Sequence, residues 1–221
     1  SLKIREEIGD QQGVGSALNN IGNIYVFQGD DTKALDYYLL SLKIREEIGD
    51  QQGIAISLNN IGEIYSDQGD HLKALDNYSR GLKIFKEISD QQGISTSLNN
   101  TGYIYLQQGD YSKALNYYFQ SLQIREEIGD QQGIANSHNN IGNIYKKNGE
   151  YSKAIVHCGR GFELANGIGN LLEQKEGCEC LYEVYKLKGN VTKALHYYEL
   201  FNKIEGSLNA EETTKKLQQM E

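Results

Sequence analysis

Residues 51–90 read QQGIAISLNNIGEIYSDQGDHLKALDNYSRGLKIFKEISD, and close variants of this stretch recur along the chain. The marker Asp-Gln-Gln-Gly stands at 10–13, 50–53, 90–93 and 130–133, so the period is 40 residues. Between markers the units run in parallel. Asn-Asn-Ile-Gly occupies 19–22, 59–62 and 139–142, with Asn-Asn-Thr-Gly at 99–102. Tyr25, Tyr65, Tyr105 and Tyr145 follow three residues later. A Gly and an acid come next (Gly29-Asp30, Gly69-Asp70, Gly109-Asp110, Gly149-Glu150), then Lys33-Ala34, Lys73-Ala74, Lys113-Ala114 and Lys153-Ala154. Self-similarity at such a period marks a solenoid, in which each unit buries its apolar stripe only against its neighbours.

Each unit reads as two helices. Leu18, Ile21, Gly22 and Tyr25 share one face of a first helix, and Ala34, Tyr38, Ser41, Leu42 and Ile48 share one face of a second. Gly29 supplies the left-handed residue that ends the first helix, and Asp30 caps the second. Gly49 and Asp50 repeat this at the other corner. Gly22 and Ala34 leave no bulk where the helices cross, so a Leu in place of Gly62 should cost roughly 1–3 kcal/mol or more.

Leu18-x-x-Ile21-Gly22-x-x-Tyr25 followed by Ala34 and Tyr38 resembles the tetratricopeptide signature, without its terminal Pro. The 40-residue unit with its Gly-Asp-Gln corner is similar to the repeats of the Pins/LGN spindle-orientation adaptors and to arrays in bacterial multidomain signalling proteins. HEAT repeats share the period but not this order of Gly, Tyr and Ala. The resemblance implies an all-α, right-handed superhelical solenoid of antiparallel helix pairs. Its expected divisions are a second helix of a preceding unit at 1–10, four repeats at 11–50, 51–90, 91–130 and 131–170, and an atypical fifth at 171–206. A C-terminal capping or connecting helix follows at 207–221, opened by a capping box of Asn209 with Glu212. The fifth unit carries Tyr182 for Gly, Cys178 for Leu and Glu179-Cys180 for Asn-Asn, as terminal units often do. The chain opens inside a repeat, because 1–10 duplicates 41–50; we expect it to be a piece of something longer.

Composition narrows the function. With 22 Lys plus Arg against 30 Asp plus Glu, the formal charge is −8, which disfavours nucleic acid or an anionic membrane as the partner. No apolar run is long enough for a membrane span and no secretory leader is present. Cys158, Cys178 and Cys180 suggest no disulfide framework, so a reducing cytoplasm is the expected setting. The glycosylation patterns beginning at Asn77 and Asn190 are read as chance. His71, His138, His157 and His196 share no metal-binding spacing, and His157 beside Cys158 is no nucleophile–base pair because neighbouring helical residues diverge. No phosphate-cradling loop, metalloprotease motif or nucleophile elbow occurs. Neither an enzyme nor a cofactor is expected.

By resemblance, the first helices line a concave groove. The expected peptide contacts are Asn19, Asn23, Asn59, Glu63, Asn99, Tyr103, Asn139 and Asn143. An Asn amide both donates and accepts, so a ladder of them can grip a peptide backbone. The second Asn of each pair (Asn20, Asn60, Asn100, Asn140) is assigned to structure, the first to the groove. Lys146, Lys147 and Lys186 gather cations at one end, where a ligand with an acidic end would sit. The Arg-Glu-Glu runs at 5–7, 45–47 and 125–127 are expected on the solvated convex face, and Tyr37-Tyr38 and Tyr117-Tyr118 in packing. The expected function is a scaffold binding a peptide or extended segment of a partner protein. The alternatives are a sensory segment of a larger signalling protein, such as a histidine kinase or nucleotide cyclase, and self-assembly through Leu2 and Ile4 of the terminal helix.

Overall fold

The computed structural model describes Arg5 and residues 9–220, apart from the side chains at 212 and 215–220. Leu2 and Ile4, expected as docking residues for a second copy, lie outside the described residues. Among those described are ten helices and no strand: α1 Gln11–Phe27, α2 Asp31–Ile48, α3 Gln51–Asp67, α4 His71–Glu87, α5 Gln91–Gln107, α6 Tyr111–Ile128, α7 Gln131–Lys147, α8 Tyr151–Gly167, α9 Leu171–Leu187 and α10 Val191–Met220. The chain divides into two compact units at 117/118, within α6.

The recurring sequence markers are the corners of the hairpins. Asp10, Asp50, Asp90 and Asp130 accept the backbone N–H of Gly13, Gly53, Gly93 and Gly133 at 2.9–3.0 Å, capping the odd-numbered helices. Asp30, Asp70 and Asp110 cap the even-numbered ones through Lys33, Lys73 and Lys113. Each of these lysines also pairs with its capping Asp and lies about 5 Å from the ring of Tyr25, Tyr65 or Tyr105. One corner therefore explains the recurring Tyr, acid and Lys together, through a cap, an ion pair and a cation–π contact.

In the first unit each hairpin stacks on the next through a buried Ala and Tyr of its second helix. Ala34 and Tyr38 pack on Ile61 and Ile64 of α3, and Ala74 and Tyr78 on Ile104 of α5. In the second unit Ala154 and Cys158 pack with Cys180, Leu181, Val184, Tyr185 and Ala194. Cys158 is buried where Tyr38 and Tyr78 stand in other repeats. Tyr37 and Tyr117 stack on Tyr25 and Tyr105 at 5.3 and 5.4 Å, so these pairs serve packing.

Four expectations are corrected. Two of the three arginines in the Arg-Glu-Glu runs are not solvated: Arg45 and Arg125 are only 5% and 7% exposed, whereas Arg5 is exposed as expected. Arg45 reaches under the next odd helix, donating to Gly53 O at 2.6 Å and Ser57 Oγ at 3.3 Å. Arg125 donates to Gly133 O and Ser137 Oγ, both at 2.8 Å. In the runs at 45–47 and 125–127 only the glutamates face water. Ile48, placed on the packing face, is 41% exposed. The capping box does not open a separate last helix, because α10 runs unbroken from Val191 to Met220. Within it, Thr213 Oγ1 bonds back to the carbonyl of Asn209, as in a helix interior. Finally, Cys158 of α8 and Cys180 of α9 form a disulfide, with Cα atoms 6.2 Å apart. The pairing lies between hairpins, where sequence spacing gives no guide. Cys178 stays a free, buried thiol, pushed up to about 12 by burial.

Candidate functional site

Like the even-numbered helices, each odd-numbered helix keeps an exposed face. The structure turns the Asn pairs about this face the opposite way from expectation. Asn19, Asn59 and Asn139 are buried between hairpins. Asn59 and Ser97 exchange hydrogen bonds at 2.9 and 3.1 Å. Asn139 donates to the backbone carbonyl and the carboxylate of Glu173, each at 2.9 Å. The paired helix makes room for them: Asn59 lies against Gly81, and Asn139 against Gly161. In the pairs at 19–20, 59–60 and 139–140 the second residue is the more open one. Asn20 is exposed, while Asn60, Asn100 and Asn140 are half-buried, and Asn60 donates to Asn19 Oδ1 at 2.9 Å.

The remaining expected residues do border the open face. In the first unit Asn23, Glu63 and Tyr103 are exposed and Asn99 is half-buried. Asn23 accepts a hydrogen bond from the Tyr38 hydroxyl at 2.7 Å. Burial, with Glu63 beside it, pushes the Tyr38 phenol up to about 12. Between α3 and α5 the face dips into a cavity of about 290 Å³, lined by Ile56, Asn60, Phe85 and Thr96 among others. Polar and apolar groups thus alternate along this face, an arrangement that can hold both the backbone and the side chains of a chain-like ligand.

In the second unit Asn143 is half-buried. The expected cation cluster is largely committed: Lys146 pairs with Glu183, and Lys186 lies 5.5 Å from the Tyr182 ring centroid. Lys147 is exposed. Glu176, between Glu173 and Glu179, is pushed up to about 7 by desolvation and by both neighbours.

One pairing was missed from the sequence. His138 Nδ1 and His157 Nδ1 lie 3.0 Å apart, with the rings of Phe119 and Tyr145 against His157. At that distance one nitrogen carries a proton and the other accepts it. Burial, the neighbouring His157 and Arg160 push His138 down to about 4, and burial lowers His157 as well. The only sequence signal was His138 standing where Leu18, Leu58 and Leu98 recur. Among the described residues no group of three or more His, Cys, Asp or Glu could hold a metal ion, and no helix is long and apolar enough to cross a membrane.

Comparison with solved structures finds this fold repeatedly. BtubC (BKLC) from P. vanneervenii superposes with a TM-score of 0.81 at 20% identity, over 95% of this chain and 88% of that one. A Rap protein solved with Competence and Sporulation Factor gives 0.77 at 17% identity, over 86% of this chain and 53% of that one. A signal transduction ATPase with numerous domains and a tetratricopeptide repeat sensor, from Pyrococcus horikoshii, gives 0.79 at 21% identity, over 94% of this chain and 32% of that one. Comparison with the curated proteins gives no match. The tetratricopeptide repeat model matches at residues 13–87, 53–127 and 93–167, each match advancing by one period. With those matches over residues 13–167, this protein belongs to the tetratricopeptide repeat family.

Proposed function

We infer that the chain is a non-catalytic interaction scaffold that holds an extended segment of a partner protein along the open face of its odd-numbered helices. The observation that carries this reading is the equivalent position in successive repeats. Asn23, Glu63 and Tyr103 of the first unit stand 40 residues apart and are all exposed. A surface periodic along the stack suits a ligand periodic along its own backbone. A Rap protein of the same fold was solved with a partner, Competence and Sporulation Factor. Selection of displayed random peptides on the whole chain tests the reading. Selected peptides should lose affinity when Asn23→Ala and Tyr103→Ala are introduced and keep it in Lys43→Ala, on an even-numbered helix. Equal affinity across all three variants would discard the groove.

A second reading, a sensory segment in a larger protein, is favoured by the tetratricopeptide repeat sensor in the Pyrococcus horikoshii ATPase. It requires that a groove ligand alter the activity of a domain encoded beside these repeats. An activity indifferent to saturating ligand removes it.

A further inference from the structure

The open face of the first unit carries an uncompensated negative charge. Glu63 and Asp67 lie one turn apart on the exposed side of α3, and Asp31 at the start of α2 adds its field to that of Asp67. Asp30, Asp70 and Asp110 each hold a lysine, whereas these three carboxylates have no cation partner among the described residues. Desolvation, with Asp67 beside it, raises Glu63 above its ordinary range.

An independent feature opens on the same spot. The ring of Tyr78 lies against Gly62 as that of Tyr38 lies against Gly22. In the first repeat this carries the Tyr38 hydroxyl to Asn23. Glu63 takes the place of Asn23 in the second repeat, yet the Tyr78 hydroxyl has no hydrogen-bond partner there, although the residue is only 2% exposed. Its oxygen is not itself sealed from solvent, so it is open to a donor arriving from outside. Tyr103, 42% exposed, stands at the same position one repeat on and completes an aromatic side to the cluster. Seven residues back along α3, Ile56 lines the apolar cavity. Seven helical residues span about 10.5 Å, which three residues of extended chain cover at about 3.3 Å each.

We propose that this face takes an extended segment bearing an arginine three residues from an apolar side chain. The guanidinium sits between Glu63, Asp67 and Tyr103, and the apolar group enters the cavity at Ile56. A planar guanidinium can divide its donors between two carboxylates and the Tyr78 oxygen while stacking on a ring, which a lysine ammonium does not match. The proposal rests on the groove reading and narrows its ligand class: a cationic residue on the first unit, in place of an acidic end at Lys146, which Glu183 already holds.

The test uses the whole chain and fluorescein-labelled alanine-based octapeptides carrying Leu and Arg three apart, in either order. Companion peptides replace Arg by Gln or Glu. Anisotropy is read at about 0.15 M salt, where long-range attraction to an acidic protein is screened. One Arg peptide should bind. Glu63→Gln with Asp67→Asn, folded by circular dichroism, should weaken it about two- to thirty-fold, the range for two partly exposed ion pairs. Glu46→Gln with Glu47→Gln, the same charge change elsewhere, should leave affinity unchanged. Failure of both Arg peptides to bind, or equal losses in the two double variants, overturns the proposal. If the Gln peptide binds as tightly as the Arg peptide and Tyr103→Ala weakens both, the arginine preference fails while the groove stands.

Discussion

At the scale of single residues, the corners of the repeat expose where this sequence departs from its own rule. The turn after α4 places Ser89 at φ 58°, where Gly49 and Gly129 stand at 70° and 73°. A side chain in the left-handed region is strained, so Ser89→Gly should raise stability by about 0.5–1 kcal/mol, read as a higher urea midpoint with unchanged slope. Gly62 presents the opposite case. A Cβ there would lie 2.6 Å from Tyr78 Cε1 and 2.8 Å from Cδ1, and the tyrosine is buried. Alanine gains about 1 kcal/mol of helix propensity over glycine, but overpacking costs about 1–3 kcal/mol. The clash wins, and Gly62→Ala should lower the midpoint. Gly206→Ala, with nothing within 4 Å of its Cβ, should raise it by the propensity term alone. A loss at Gly206 as large as at Gly62 would show that packing does not separate them.

At the scale of helices, what the sequence made legible is what is local. The caps, the Gly corners and the pairing of odd with even helices repeat four times and depend on residues three or four apart. The Asn pairs were misread because neighbouring helical residues diverge by about 100°, so half that rotation of a helix exchanges the roles of Asn59 and Asn60. Arg45 was misread because the eight-residue reach to Gly53 crosses from one hairpin to the next. The His138–His157 contact likewise spans α7 and α8, and it makes a prediction about pH. Its pKa of about 4 lies below the ordinary 6.5, so the folded state binds a proton less readily than the unfolded state. The stability it contributes is full above about pH 6.5 and lost as pH falls toward 4. His157 is lowered too and adds in the same direction. His138→Leu restores the residue found at 18, 58 and 98, and the stability of this variant relative to the parent should grow between pH 7 and pH 4.5. A difference constant across that range, measured by urea titration, would mean that the pair is not held neutral.

For the whole molecule, stability built from neighbouring hairpins should behave as a sum over units and their contacts. Deleting residues 51–90 joins Asp50 to Gln91 and tests this within the first unit, because the lost surfaces are replaced by near copies. Arg45, which donates to Gly53 O and Ser57 Oγ, would meet Gly93 and Ser97 at the same spacing. Asn19, which accepts from Asn60, would meet Asn100. Ala34 and Tyr38, packed on Ile61 and Ile64, would meet Thr101 and Ile104, exchanging one isoleucine for a smaller, more polar side chain. The shortened chain should therefore keep a cooperative urea transition and helical circular dichroism in proportion to its length, with a lower unfolding free energy and a shallower slope because less surface is exposed. Loss of the cooperative transition would place the determinants of folding in the particular second repeat. Retention also settles what the deletion does to binding: Glu63, Asp67 and Ile56 leave with the repeat, so an arginine-bearing peptide that binds the parent should no longer bind a chain that is otherwise folded.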